Sequence, residues 1–137
     1  GELARGGTTP DWVGLTPLGA APVEGFSFDT GYEALRVPLF LVWSGERDHP
    51  ALARLPRADA TGPGQAATVL ARASGMVLET SPDAGYRAID ALTRCATGRA
   101  AQARIPPFDT RQPYYPATLH LFAMLASYRS TPTCRPV

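Results

Sequence analysis

Residues 31–44 read GYEALRVPLFLVWS, and this run decides the fold. From Leu35 to Trp43 it is apolar nearly all the way round, so the segment predicts a helix buried on most of its faces. Thr30-Gly31-Tyr32-Glu33 at its start has the pattern of a capping box, in which the hydroxyl and the carboxylate satisfy orphan backbone N–H groups at the helix entry. Pro38 is expected to kink the helix or to confine its first turns. Near the other end, residues 116–129 (PATLHLFAMLASYR) predict a second helix that is apolar on most faces, with Pro116 in its first turn. Two such helices in one chain of 137 residues need more neighbours than the chain itself offers. The expectation is part of a larger helical assembly.

Between these runs the sequence is punctuated. Residues 1–28 carry Gly6, Gly7, Pro10, Gly14, Pro17, Gly19, Pro22 and Gly25, which predicts a long loop of the kind that lines a site. Asp48 is expected to cap a short helix reaching Leu55, and residues 56–65 form a further loop. Residues 67–79 (ATVLARASGMVLE) alternate in part around Ala73-Ser74-Gly75, which leaves room for one small β-hairpin. Ser81-Pro82 opens an amphipathic helix over 82–97, with Tyr86, Ile89, Leu92 and Ala96 on one stripe and Gly98 as its stop. A proline-rich loop, 99–115, leads to the final helix. The class is therefore mainly α with long loops.

Thirteen arginines without a lysine stand against twelve carboxylates, for a formal charge of +1. That balance argues against nucleic acid or an acidic membrane as partner. No stretch approaches the eighteen apolar residues of a membrane span, and residues 1–7 lack the pattern of a signal peptide. Two cysteines, Cys95 and Cys134, and two histidines, His49 and His120, show no metal-ligand spacing, so neither a metal nor another cofactor is expected. His49 reads as a surface residue and His120 as a core one.

Three segments together resemble glycoside hydrolase family 8, in particular its bacterial cellulose-associated endoglucanase branch. They are Pro10-Asp11-Trp12-Val13, then the string from Gly31-Tyr32-Glu33-Ala34-Leu35-Arg36 through Leu39, then Tyr114-Tyr115-Pro116-Ala117-Thr118-Leu119. Their order and spacing are similar to the last third of that family, so the likeness spans the whole chain. The resemblance implies the C-terminal part of an (α/α) barrel, a groove for a β-1,4-glucan, and hydrolysis with inversion. It implies a periplasmic or secreted location and a missing N-terminal portion that holds the proton-donating glutamate. Glu33 matches the family position of the water-activating base, where Asp is usual. In an exported protein, Cys95 is expected to pair with Cys134.

Each candidate also has a bland role. Inverting hydrolysis needs two carboxyl groups about 6.5–9.5 Å apart, one protonated and one that takes a proton from water. Glu33 fits the second role, and equally the return bond of a capping box or an ion pair with Arg36. Trp12 and Tyr32 suit stacking against sugar rings, Arg36 suits a substrate or structural anion, and Asp11 suits substrate hydroxyls or a turn. Asp29 reads as a helix cap or a second site carboxylate, Trp43 as core, and Tyr114 and Tyr115 as packing residues with solvated hydroxyls. The alternative to an enzyme is a non-catalytic helical module that keeps a glucan-binding surface or only the scaffold.

Overall fold

The long apolar run does become a helix, α2, but over Arg36–Trp43 and not from residue 31. The computed structural model describes residues 2–56, 60–99 and 103–134, with backbone only at 2 and 4. Residues 32–35 form a turn ahead of α2, closed by Leu35 N–H to Gly31 O at 3.2 Å and Val37 N–H to Ala34 O at 3.0 Å. Pro38 falls in the first turn of α2, where its missing N–H would have had no intrahelical partner anyway. The capping box does not form. Thr30 is buried and bonds to the Thr8 hydroxyl and the Thr9 carbonyl, and no side chain of residues 30–35 caps α2.

The remaining elements, in order, are α1 (Glu2–Arg5), the hairpin β1 (Gly14–Thr16) and β2 (Gly19–Ala21), and after α2 the single turn α3 (Pro50–Ala53). There follow the hairpin β3 (Ala66–Leu70) and β4 (Val77–Ser81), α4 (Ala84–Ala96), α5 (Tyr114–Ser130) and a 3-10 turn, Pro132–Cys134. The protein is thus helix-rich with two small antiparallel hairpins among its described residues.

The second hairpin was the expected one, placed within two residues of the 67–79 reading. Its inward side alternates, with Ala66, Thr68 and Leu70 buried, and Gly75 takes the left-handed conformation in the connection. The first hairpin corrects the reading of 1–28 as loop throughout. The short helix α1 corrects it too; beyond Arg5, Gly and Pro leave no room for a helix, but they are also the residues of a tight two-residue connection. Thr16-Pro17-Leu18-Gly19 makes that connection, pinned by the Thr16 hydroxyl donating to Gly19 O at 2.8 Å and accepting from Leu18 N–H at 3.2 Å. The loop readings at 57–59 and 100–102 lie outside the described residues.

Helix α4 sits between α2, α5 and β3 and buries the predicted stripe, Tyr86, Ile89 and Leu92, with Gly98 in the left-handed conformation just beyond its end. Its close approach to α5 depends on Gly85, because a Cβ there would lie 1.8 Å from the Pro116 carbonyl oxygen. Leu39 and Val42 from α2, Leu52 from α3, and Leu119, Ala123 and Ala126 from α5 complete the core. Ile105, fully buried, plugs it from the loop. A disulfide between Cys95 and Cys134 ties the end of α4 to the turn after α5. On the outer side, Phe40, Leu121 and Leu125 are about half exposed, so α2 and α5 keep a partly apolar outer face.

Two local expectations are corrected. The cap of α3 is His49, whose Nδ1 accepts from Ala51 N–H at 3.2 Å, and not Asp48. The final helix begins at Tyr114, two residues before Pro116, with Pro113 at its cap.

His120 is fully buried on α5 and links three segments. Its Nε2 donates to Pro106 O at 3.0 Å, its Nδ1 accepts from the Gln112 amide at 3.1 Å, and Gln112 Oε1 accepts from Gly85 N–H at 2.7 Å. Burial is the main reason its pKa lies below the ordinary 6.5; the Pro106 bond and Asp109 oppose this and Arg87 adds to it. With the folded pKa depressed, the unfolded chain takes up the proton first as pH falls. Stability is then complete above 6.5 and declines below it. A melting temperature that falls on acidification below pH 6.5, with a gentler slope in His120→Gln, is the expected result, read by calorimetry.

Candidate functional site

The site assembles around the turn 32–35. Asp11 reaches it from the opening segment, and its Oδ1 accepts from Gly31 N–H at 2.9 Å and from Ala34 N–H at 2.7 Å. Asp11 thus caps the turn from a distant part of the chain, while the N–H that a Glu33 return bond would have taken, Thr30 N–H, donates to Leu70 O at 3.1 Å. Asp11 N–H in turn donates to Asp29 O at 2.9 Å. Gly31 is required here, since a Cβ would lie 2.3 Å from Asp11 Oδ2.

From the opposite side the Tyr115 hydroxyl donates to the Tyr32 carbonyl at 2.7 Å. Burial raises the Tyr115 pKa; among its neighbours Arg36 lowers it and the carboxylates of Glu33 and Asp11 raise it. The phenol therefore stays protonated and able to donate. Tyr86 lies against Tyr32, ring centroids 5.6 Å apart, and against Tyr115 at 6.5 Å. Burial first, then the nearby Tyr32, Asp83 and Tyr115, push its pKa up to about 12, so Tyr86 is a neutral wall.

Glu33 points outward. Its carboxylate pairs with the Arg36 guanidinium, and both side chains are nearly half exposed. Arg36 Nε also donates to the Glu33 carbonyl at 3.2 Å. The pair stands at one end of an open groove of about 590 Å³ that runs along α2 past Val37, Phe40, Leu41 and Ser44. Tyr32 is partly exposed beside it, its hydroxyl donating to Glu79 Oε2 at 3.3 Å. Trp12, next to Asp11 in the chain, is half exposed and leans on Phe26 with ring centroids 4.8 Å apart. Asp11, Tyr32, Glu33 and Arg36 are thus one constellation, with Trp12 attached to it through Asp11.

Other expectations change. Asp29 caps no helix; its Oδ1 accepts from Arg72 N–H at 2.9 Å and fixes the start of the β3–β4 connection. Tyr115 is a hydrogen-bonding part of the site, while Tyr114 is 85% exposed and packs little. Trp43 belongs to a ring cluster with Phe40 and Phe122, centroids 6.1 and 5.9 Å away. Phe26, Glu79 and Tyr86 had no sequence signal as site residues, because only the fold brings Phe26 to Trp12, and Glu79 and Tyr86 to Tyr32.

Behind the turn lies a small cavity of about 50 Å³, bounded by Thr8, Thr30, Ala34 and Tyr86. It is too small for a sugar. No group of three or more His, Cys, Asp or Glu placed to hold a metal occurs among the described residues, and no helix there is long and apolar enough to cross a membrane. Comparison of the chain with protein-family models, with curated proteins and with solved structures finds no match.

Proposed function

We propose that this chain is the C-terminal part of a periplasmic or secreted endo-β-1,4-glucanase with an (α/α) barrel, in which Glu33 activates water for inverting hydrolysis. One observation carries the reading. The three segments of the family resemblance, far apart in sequence, meet on a single turn: Asp11 binds the backbone at Gly31 and Ala34, and Tyr115 binds the backbone at Tyr32. Asp11 and Tyr115 thus hold the backbone on either side of Glu33, the carboxylate that the reading needs, and this supports it.

In this mechanism Glu33 removes a proton from the water that attacks the anomeric carbon, while an acid from the N-terminal portion protonates the leaving oxygen. Arg36 orients the Glu33 carboxylate. Tyr32 and Trp12 offer partly exposed rings to the apolar faces of glucose units. The partly apolar outer face of α2 and α5 supports the larger barrel, because preceding helices would cover it.

The second reading, a glucan-binding or scaffold module without catalysis, draws on the same exposed rings. The two separate by incubating the complete protein with cellohexaose. New reducing ends are expected for the enzyme, whereas binding without cleavage supports the glucan-binding module, and neither binding nor cleavage defeats both the enzyme and the glucan-binding module and leaves only the scaffold.

A further inference from the structure

We infer that Asp11 is the positioning residue of the site: it sets where Glu33 and Tyr32 stand by holding their backbone, and does not contact the glucan. This rests on the glucanase reading for what the turn does, and on geometry alone for how Asp11 holds it.

The turn that carries Tyr32 and Glu33 has no local cap. Thr30 is engaged with Thr8 and Thr9, Asp29 with Arg72, and Glu33 with Arg36. Two N–H groups of the turn, at Gly31 and Ala34, both go to Asp11 Oδ1, twenty or more residues away in the chain. They flank Tyr32 and Glu33 on either side, so the position of both side chains follows the position of one oxygen. The other oxygen, Oδ2, occupies the space where a Cβ of residue 31 would stand, 2.3 Å away. Gly31 and Asp11 therefore form one device, a carboxylate seated in the notch of a glycine. Asp11 is itself fixed by its N–H bond to the Asp29 carbonyl. Oδ1 is filled by its two bonds to the turn, and Oδ2 is turned onto Gly31 and not into the groove along α2.

An amide oxygen accepts the same two bonds as a carboxylate oxygen, though more weakly, and an alanine accepts neither. Asp11→Asn in the complete protein is therefore expected to keep kcat on cellohexaose within about threefold and to leave the pH profile unchanged. Asp11→Ala is expected to lower kcat by roughly tenfold to a hundredfold, since misplacement of Glu33 by about 1 Å costs up to that much, and to raise KM, since Tyr32 moves with the same turn. Gly31→Ala alone is expected to resemble Asp11→Ala. The double variant should be no worse than either single one, because removing the carboxylate empties the space that the new methyl needs.

Hydrogen exchange read by NMR provides the arm that does not depend on activity. The Gly31 and Ala34 amides are expected to be protected in the natural protein and in Asp11→Asn, and unprotected in Asp11→Ala. If the natural protein cleaves no glucan, the function reading fails while exchange still decides the role of Asp11. Equal protection of both amides with and without the carboxylate overturns the inference. So does an Asp11→Asn variant as impaired as Asp11→Ala while its amides stay protected, because Asp11 would then act through its charge.

Discussion

Removal of the Cys95–Cys134 bridge is expected to lower the melting temperature by about 14 °C. The two cysteines are 39 residues apart, and cross-linking a loop of that size removes unfolded-chain entropy equivalent to about 4 kcal/mol. An unfolding entropy of about 2.1 cal/mol/K per residue, taken over the whole chain, converts that loss into the stated shift. The bridge also holds the turn after α5 against the end of α4, and Cys134 is buried there. Calorimetry of the Cys95→Ala/Cys134→Ala pair against the natural protein, without reductant, provides the comparison. A shift of only a degree or two means that the unfolded chain does not gain the freedom assumed.

The second large effect concerns chemistry. Glu33→Gln in the complete protein is expected to reduce cello-oligosaccharide turnover by about a hundredfold or more, with binding little changed. The substitution keeps the shape of the side chain and removes only its capacity to take a proton from water. Had Glu33 been the return arm of a capping box, the same change would also have disturbed the helix entry. It is not, since Thr30 N–H donates to Leu70 O at 3.1 Å and the Glu33 carboxylate pairs with Arg36. What is lost structurally is an ion pair with Arg36, largely exposed and worth at most about 1 kcal/mol. Stability and turnover should therefore part company. Near-normal turnover would demote Glu33 to a surface ion pair.

Helix α4 was readable along most of its length, because its apolar stripe and its Gly stop are local signals; its Ser-Pro entry was misread, since Ser81 ends β4 and the helix starts at Ala84 with Asp83 at its cap. Helix α2 was readable as a helix but not in its start, for a physical reason. Thr30 and Glu33 stand at the right spacing to cap locally, and nothing in the sequence says that Thr30 is claimed by Thr8 or that Asp11 supplies the cap from afar. A long-range side-chain bond wins over a local one when both partners of the local bond are better satisfied elsewhere. The β1–β2 hairpin was hidden by the same residues that make it, since glycine and proline mark both irregular loops and tight turns. Of the site, Asp11, Tyr32, Glu33 and Arg36 were legible as candidates. Their neighbours Glu79 and Tyr86 were not, because the contact depends on how the second hairpin and α4 pack behind the turn.

The central claim, inverting hydrolysis of a β-1,4-glucan, has one direct observable. Cellohexaose cleaved by the complete protein and followed from the first minutes by proton NMR reveals the configuration at the new reducing end. Water delivered by Glu33 to the face opposite the leaving group must give the α-anomer first, with the β-anomer appearing only as the sugar mutarotates. A product that is β from the outset means a covalent glycosyl-enzyme route, and contradicts the role given to Glu33.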